Sequence, residues 1–299
     1  MKLPRRLPVR PPFPLGTPTW PTSVDRPPAK KRTGVDYDTT WARRYPVRMA
    51  RALLLDGVTK PVVNALASPT VEGLERIEHL AAPVIFAANH ASHLDTPLLL
   101  TSLPPRFRHR AVVVAAADYF FDKRWKGAFN AFAIGAVPME RTKVNRRSAL
   151  DASKLIEDGW SLVIFPEGGR SPHGWAQEFK GGAAYMAIRT GVPVVPVHIE
   201  GTRRVLKKGA KRLTPSHTHL TFGKALRPHE GEDSRQMAAR IEQAVAELAD
   251  EQAHDWWTAR RRAASGATPS ITGPDAGAWR RSWALGENKR RPKRDRWPA

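Results

Sequence analysis

The rhythm of apolar and polar positions changes along this chain. From residue 72 onward, short continuous apolar runs alternate with helical patterns. The runs fall at 83–88 (Pro-Val-Ile-Phe-Ala-Ala), 111–116 (Ala-Val-Val-Val-Ala-Ala), 161–165 (Ser-Leu-Val-Ile-Phe), 194–199 (Val-Val-Pro-Val-His-Ile) and 218–222. Unbroken apolar runs of this length suit strands buried on both faces. Between them the spacing predicts helices over about 97–103, 146–158 and 181–190, the last two stopped by Gly159 and Gly191. Ser234 is predicted to cap a final helix that carries Met237, Ile241, Val245 and Leu248 on one face. Strands alternating with helices predict an α/β fold with a mainly parallel sheet covered by helices.

The chain before residue 72 differs. Residues 41–68 hold Trp41, Tyr45, Val47, Met49, Leu53, Leu54, Val58, Val62, Val63 and Leu66, with Arg43, Arg44, Arg48, Arg51 and Lys60 interleaved. Pro61 interrupts the run, so two short amphipathic helices are expected. Such helices either lie in a bilayer interface or pack on the core. Nine of the 27 prolines fall within residues 1–35. The expected organisation is therefore a disordered basic Pro-rich arm at 1–40, a folded domain at 41–257 and a disordered basic tail at 258–299. The tail begins where the helical pattern ends, after Trp256 and Trp257.

Charge sharpens this division. The net charge is +21, and residues 1–48 and 258–299 carry +8 each, leaving +5 for the centre. The excess lies in the two ends, and a polyanionic partner is expected: an anionic membrane surface or a nucleic acid. Arg203, Arg204, Lys207, Lys208, Lys211 and Arg212 add a basic loop after the fourth run. With no cysteine, the chain has neither a thiol nucleophile nor a Cys-ligated zinc site. That fits a reducing compartment without requiring it. No secretory signal and no uninterrupted spanning segment is visible. His217 and His219 fall on one strand face without a third ligand nearby, which favours structure over a metal.

Two segments carry the chemistry. Residues 89–95 read Asn-His-Ala-Ser-His-Leu-Asp. Positions five apart diverge by about 140° on a straight helix, so His90 and Asp95 cannot meet there. They can meet if His90 lies in the turn after the 83–88 strand and Asp95 opens the next helix, with Pro97 as the first helical residue just after Asp95-Thr96. A carboxylate beside an imidazole fixes its tautomer and favours the imidazolium formed on proton abstraction. Asp95 or Thr96 could equally cap that helix, and Ser92 with Asp95 matches a capping box. His93 is read as a packing residue. Residues 165–171 read Phe-Pro-Glu-Gly-Gly-Arg-Ser, a turn whose backbone N–H groups and Arg170 could hold a phosphate. The ordinary alternative is a glycine turn with a solvated arginine. Two further segments are less telling alone: Gly135 to Arg141, and Val192-Pro193-Val194-Val195-Pro196-Val197. Proline is excluded from regular central ladder positions, so the latter either lines a site or forms an edge strand.

In order and type these four segments resemble the motif blocks of the glycerolipid acyltransferases that include the 1-acylglycerol-3-phosphate acyltransferases. Asn89 to Asp95 matches NHxSxxD, whose HxxxxD core is the family hallmark, and Phe165 to Ser171 resembles FPEGTRS. The resemblance covers about residues 72–225 and implies a glycerol-3-phosphate acyltransferase-like fold. It implies His90 as general base and Asp95 as the residue that orients it. Arg141, Glu167, Gly168 and Arg170 would hold the glycerol phosphate, and Pro193 and Pro196 would shape the acyl-donor side. It further implies an acyl thioester donor on CoA or acyl carrier protein and a lysophospholipid acceptor giving phosphatidic acid. No cofactor, no metal and no specific nucleic acid are expected. The place expected is peripheral, on the cytoplasmic face of a membrane. Gly169 stands where the family usually has Thr, and Pro138-Met139 where it has an aromatic–aliphatic pair. These departures leave another lysophospholipid or a glycolipid open as acceptor. A basic adaptor that binds membrane or nucleic acid is the non-enzymatic alternative, though one with both His90 and Asp95 intact.

Overall fold

The structure, a computed structural model, describes residues 34–140, 146–171, 173–207, 209–210 and 212–273, with 146–149 described by backbone alone. The strands are β1 (Pro69–Glu72), β2 (Ile85–Ala88), β3 (Ala111–Ala116), β4 (Ala136–Met139), β5 (Ser161–Ile164), β6 (Val194–Glu200) and β7 (Thr218–Phe222). The helices are α1 (Tyr45–Leu54), α2 (Lys60–Ala67), α3 (Asp95–Ser102), α4 (Pro105–Arg108), α5 (Ala117–Phe120), α6 (Arg124–Ile134), α7 (Arg146–Glu157), α8 (Gly182–Thr190), α9 (Thr202–Val205), α10 (Ser234–Ala253) and α11 (Trp256–Ala264). One seven-stranded sheet has the order β1-β7-β6-β2-β5-β3-β4. It is parallel except between β6 and β7. The central strands β2, β5 and β6 are buried along nearly their whole length, as continuous apolar runs require.

Two apolar layers cover the sheet. On one face Phe86, Ala88 and Val113 pack with α2 and α3 through Val63, Ala67, Leu98, Leu99 and Leu100. On the other, Ile85, Ala87, Leu162 and Ile164 pack with α7, α8 and α10 through Leu155, Met186, Met237, Ile241 and Val245. Alternation along β2 thus sends Ile85 and Ala87 one way and Phe86 and Ala88 the other. This sandwich holds the end of β2, where the chemistry-bearing residues begin.

Several expectations need correction. Residues 41–68 are not two helices broken at Pro61. Residues 45–67 run as one helical stretch, α1 and α2 joined by a π-turn at Leu55–Thr59. Pro61 has no N–H, and its ring would press on the carbonyl four residues back. The wider turn immediately before it, in which the Lys60 N–H donates to the Leu55 carbonyl, accommodates the ring. Pro196 is not on an edge: β6 lies between β2 and β7. It sits at a β-bulge, because Val194 faces Leu226 whereas Val197 faces Phe222, one residue out of step. There the missing N–H costs no regular ladder bond.

The ends of the folded region also moved. Tyr37 packs its ring 5.4 Å from Phe121 and Thr39 is buried, so packing begins inside the expected 1–40 arm. Residue 258 falls within α11, so the expected tail is helical at its start. Asp255 caps this helix by accepting from the Thr258 N–H, Arg262 pairs with Asp250 at 2.8 Å, and Ala259 is buried. Arg and Ala are good helix formers, and basic composition alone hid that. The chain then returns, and the Ile271 carbonyl accepts from the Ala176 N–H. Residues 1–33 and 274–299 lie outside the described residues. The cap of α10 is Asp233, not Ser234: Asp233 accepts from the Arg235 and Gln236 N–H groups, and Gln236 returns the bond in a complete capping box.

Candidate active site

The site is assembled at the end of β2. His90 lies in the turn after that strand and Asp95 is the first residue of α3. Their side chains meet, His90 Nδ1 being 2.8 Å from Asp95 Oδ2. The same oxygen accepts from the Ala91 and Ser92 N–H groups at 2.7 and 2.8 Å. Asp95 therefore ties the turn and faces the imidazole at once, but it does not cap α3, whose start carries no side-chain cap bond. Its side chain is fully buried. With Nδ1 turned to the carboxylate, Nε2 is the nitrogen left for a substrate. The imidazole stacks on Phe165, centroids 4.2 Å apart, which fixes the ring plane.

The turn at 165–171 grips the main chain of His90 from both sides. The His90 N–H donates to Glu167 Oε1 at 2.6 Å, and the Ser171 N–H donates to the His90 carbonyl at 2.8 Å. The other Glu167 oxygen accepts from the Gln177 N–H at 2.9 Å, and the Gln177 amide donates to the Gly169 carbonyl. Both Glu167 oxygens are thus engaged by backbone, and the residue acts as a brace between loops. Gly168 has φ +72°, a conformation suited to glycine. Asn89 braces a third strand by exchanging two bonds with the main chain of Ile199 on β6.

Burial pushes the Glu167 carboxyl up to about 8, against the downward pull of the two N–H groups it accepts. A carboxyl raised on folding contributes stability that is full below its unfolded value and is lost as pH rises through the folded value. Glu167→Gln removes that slope, at the cost of facing an amide N–H₂ towards a backbone N–H. Relative to wild type, its urea midpoint is expected to recover as pH rises from about 5 to 8. A pH-independent difference would show that Glu167 titrates ordinarily.

His93 packs as expected: it stacks on Tyr119 at 5.7 Å, and burial, with Arg170 nearby, lowers it to about 4. Arg170 therefore lies near enough to His93 to disfavour its charged form. Arg141 lies outside the described residues. Pro193 and Pro196 are buried within the sheet and line neither of the cavities beside the site. The Pro193 carbonyl instead accepts from the Ile85 N–H, helping to hold β2. A cavity of about 140 Å³ opens beside His90, walled by Val113, Ile134, Ile164, Phe165 and Met186 among others. The bracing by Gln177, Ser171 and Asn89 had no periodic signal, because those bonds join residues far apart in sequence.

An oriented imidazole beside an apolar cavity suits proton abstraction from a substrate with an apolar part. Known acyltransferases are similar to this chain. A 1-acyl-sn-glycerol-3-phosphate acyltransferase of Brassica napus, chloroplastic, is 33% identical over 147 residues, 48% of this chain and 40% of that one. A chloroplastic counterpart from Arabidopsis thaliana is 34% identical over 147 residues, 48% of this chain and 39% of that one. The chain thus spans less than half the length of these two relatives. Among solved structures, the 1-acyl-sn-glycerophosphate (LPA) acyltransferase PlsC from Thermotoga maritima matches with a TM-score of 0.54 and 25% identity. That match covers 74% of this chain and 85% of that one. The Acyltransferase family model matches residues 68–200, the span that holds His90, Asp95 and the 165–171 turn.

Proposed function

We propose that this protein transfers an acyl group from an acyl thioester to the free hydroxyl of 1-acylglycerol 3-phosphate, giving phosphatidic acid. The observation that carries the reading is the 2.8 Å contact of His90 with the buried Asp95 at the mouth of an apolar cavity. The names of the relatives supply the acceptor. His90 Nε2 takes the hydroxyl proton as the oxygen attacks the thioester carbonyl. The tetrahedral oxyanion then collapses, the carbon–sulfur bond breaks, and the thiolate recovers the proton from His90. The test is acceptor-dependent thiol release from oleoyl-CoA, followed by an acyl carrier protein donor and a panel of acceptors. Release only with another lysophospholipid or a glycolipid would overturn the acceptor. Glu167 serves as a brace for the His90 turn, while Arg170 and Arg141 remain the arginines proposed for the phosphate.

Such acceptors lie in membranes. Among the described residues no helix is long and apolar enough to cross one. Two helices that pack together do expose apolar lines: Tyr45, Met49 and Leu53 on α1, and Trp125 and Phe129 on α6. The spacing of four places each line on one helix face. Exposed Arg44, Lys60, Lys123 and Arg124 lie on or beside them, and each cation near an anionic surface contributes about 1 kcal/mol. The protein therefore docks peripherally through α1 and α6, with α6 added to the segment expected at 41–68. Deleting residues 1–68 does not test this, because Val63 and Ala67 belong to the core. Glutamates at Met49, Leu53, Trp125 and Phe129 keep the core. They should cut binding to anionic vesicles at least tenfold in a sedimentation assay, with the melting temperature preserved. Unchanged binding would move the membrane surface elsewhere on the chain.

A further inference from the structure

We propose that Lys180 is a phosphate-binding residue of this site, holding the phosphate monoester of the acceptor beside His90. This rests on the acyl-transfer reading and adds a residue that none of the four motif blocks contains. Lys180 precedes α8, and its backbone is pinned: the Lys180 N–H donates to the Pro166 carbonyl at 3.0 Å, and the adjacent Phe179 N–H donates to Glu242 at 2.8 Å. From there the side chain lies across the 165–171 turn. A Cβ added to Gly168 would stand 2.8 Å from Lys180 Nζ, 3.3 Å from Cε and 3.4 Å from Cδ. Glycine at 168 therefore serves two needs, the positive φ of the turn and the passage of this lysine.

Lys180 lines the cavity that also contains His90, Thr96, Gly168 and Gly169. Glu140 is the acid in that lining, yet among the described residues no hydrogen bond or ion pair engages the Lys180 ammonium. A lysine serving only solubility keeps a mobile stem in water. This one is exposed as well, but its stem passes over a glycine turn and its ammonium stands without a salt bridge among the described residues at the wall of the site. A compact ammonium of that kind is a ready partner for a phosphate dianion, complementing the planar grip of an arginine such as Arg170. Substrates of this reaction present phosphates on the acceptor and, with CoA, on the donor. The acceptor is assigned because its phosphate lies only a few bonds from the hydroxyl that must reach His90.

The test uses the full chain with Lys180→Met and Lys180→Arg. Loss of one charge-assisted bond is expected to raise KM for 1-acylglycerol 3-phosphate about 10- to 100-fold. KM for oleoyl-CoA should change less than about twofold under that assignment. Arginine should restore part of the loss, and an unphosphorylated 1-acylglycerol should respond equally little to either variant. A separate titration with glycerol 3-phosphate, followed by calorimetry, reads phosphate binding without turnover. Binding lost in Lys180→Met upholds the site, even if wild type fails to acylate 1-acylglycerol 3-phosphate and the proposed reaction falls. A rise confined to the KM of oleoyl-CoA would overturn the acceptor assignment in favour of the donor phosphates. Unchanged KM values and binding would overturn the role of Lys180 altogether.

Discussion

His90→Ala is expected to abolish acceptor-dependent thiol release, lowering kcat by about 10²- to 10⁴-fold, while the protein stays folded. An alcohol attacks a thioester slowly unless its proton leaves during attack, and Nε2 of His90 is the nitrogen left for that task once Nδ1 faces Asp95. The substitution also removes the stack on Phe165, so a stability loss of about 1–3 kcal/mol should accompany it. That loss is small enough to leave the sheet intact, since the main-chain bonds from His90 to Glu167 and Ser171 do not need the imidazole. The measurement is thiol release with saturating 1-acylglycerol 3-phosphate, paired with a thermal melt. A folded His90→Ala protein with more than about one tenth of wild-type turnover would remove His90 as the base. A folded variant that kept full biological function would favour the adaptor reading.

The parts of this fold legible in the sequence were those decided by local periodicity. The runs ending near Ala88, Ala116 and Ile164 became strands because each is apolar on both faces. Gly159 and Gly191 stand beyond the ends of α7 and α8, both at positive φ. β1 and β4 had no such signal, being four-residue strands at the two sheet edges, only partly buried. α6 was hidden by its mixed face, with Trp125 and Phe129 turned outward where a globular helix would hold polar residues. The position of Pro196 was misleading for a different reason, since proline in a central strand requires a bulge whose existence depends on β7, some twenty-five residues later.

Within the site, His90 and Asp95 were legible through the resemblance of the four segments to known motif blocks, and their spacing added only that they must meet across a turn. The work of Glu167 was not. The resemblance set this glutamate among the residues that would hold the glycerol phosphate. The fold instead turns it inward to main-chain donors supplied by residues 90 and 177. Lys180 was equally invisible: nine residues beyond the turn, it reaches back only because the intervening loop closes on Pro166.

Asp95 separates geometry from chemistry, and its two substitutions should behave differently. Asp95→Ala leaves the Ala91 and Ser92 N–H groups and His90 Nδ1 without their acceptor in a buried place. Each orphaned buried donor costs about 1–3 kcal/mol, so this variant is expected to be strongly destabilised or misfolded. Asp95→Asn keeps the shape. Its amide oxygen can go on accepting from Ala91 and Ser92, and the melting temperature should fall by only a few degrees. What it loses is the negative charge beside His90. The imidazolium formed on proton abstraction is no longer stabilised, because the amide oxygen that still faces Nδ1 carries no full charge. Turnover should therefore drop about 10²- to 10⁴-fold with little change in KM. Because Asp95 acts through His90, the double variant His90→Ala/Asp95→Asn should be no slower than His90→Ala alone. Additive losses in the double variant would mean that Asp95 contributes by another route. An Asp95→Asn enzyme within about tenfold of wild type would mean that the carboxylate only shapes the turn.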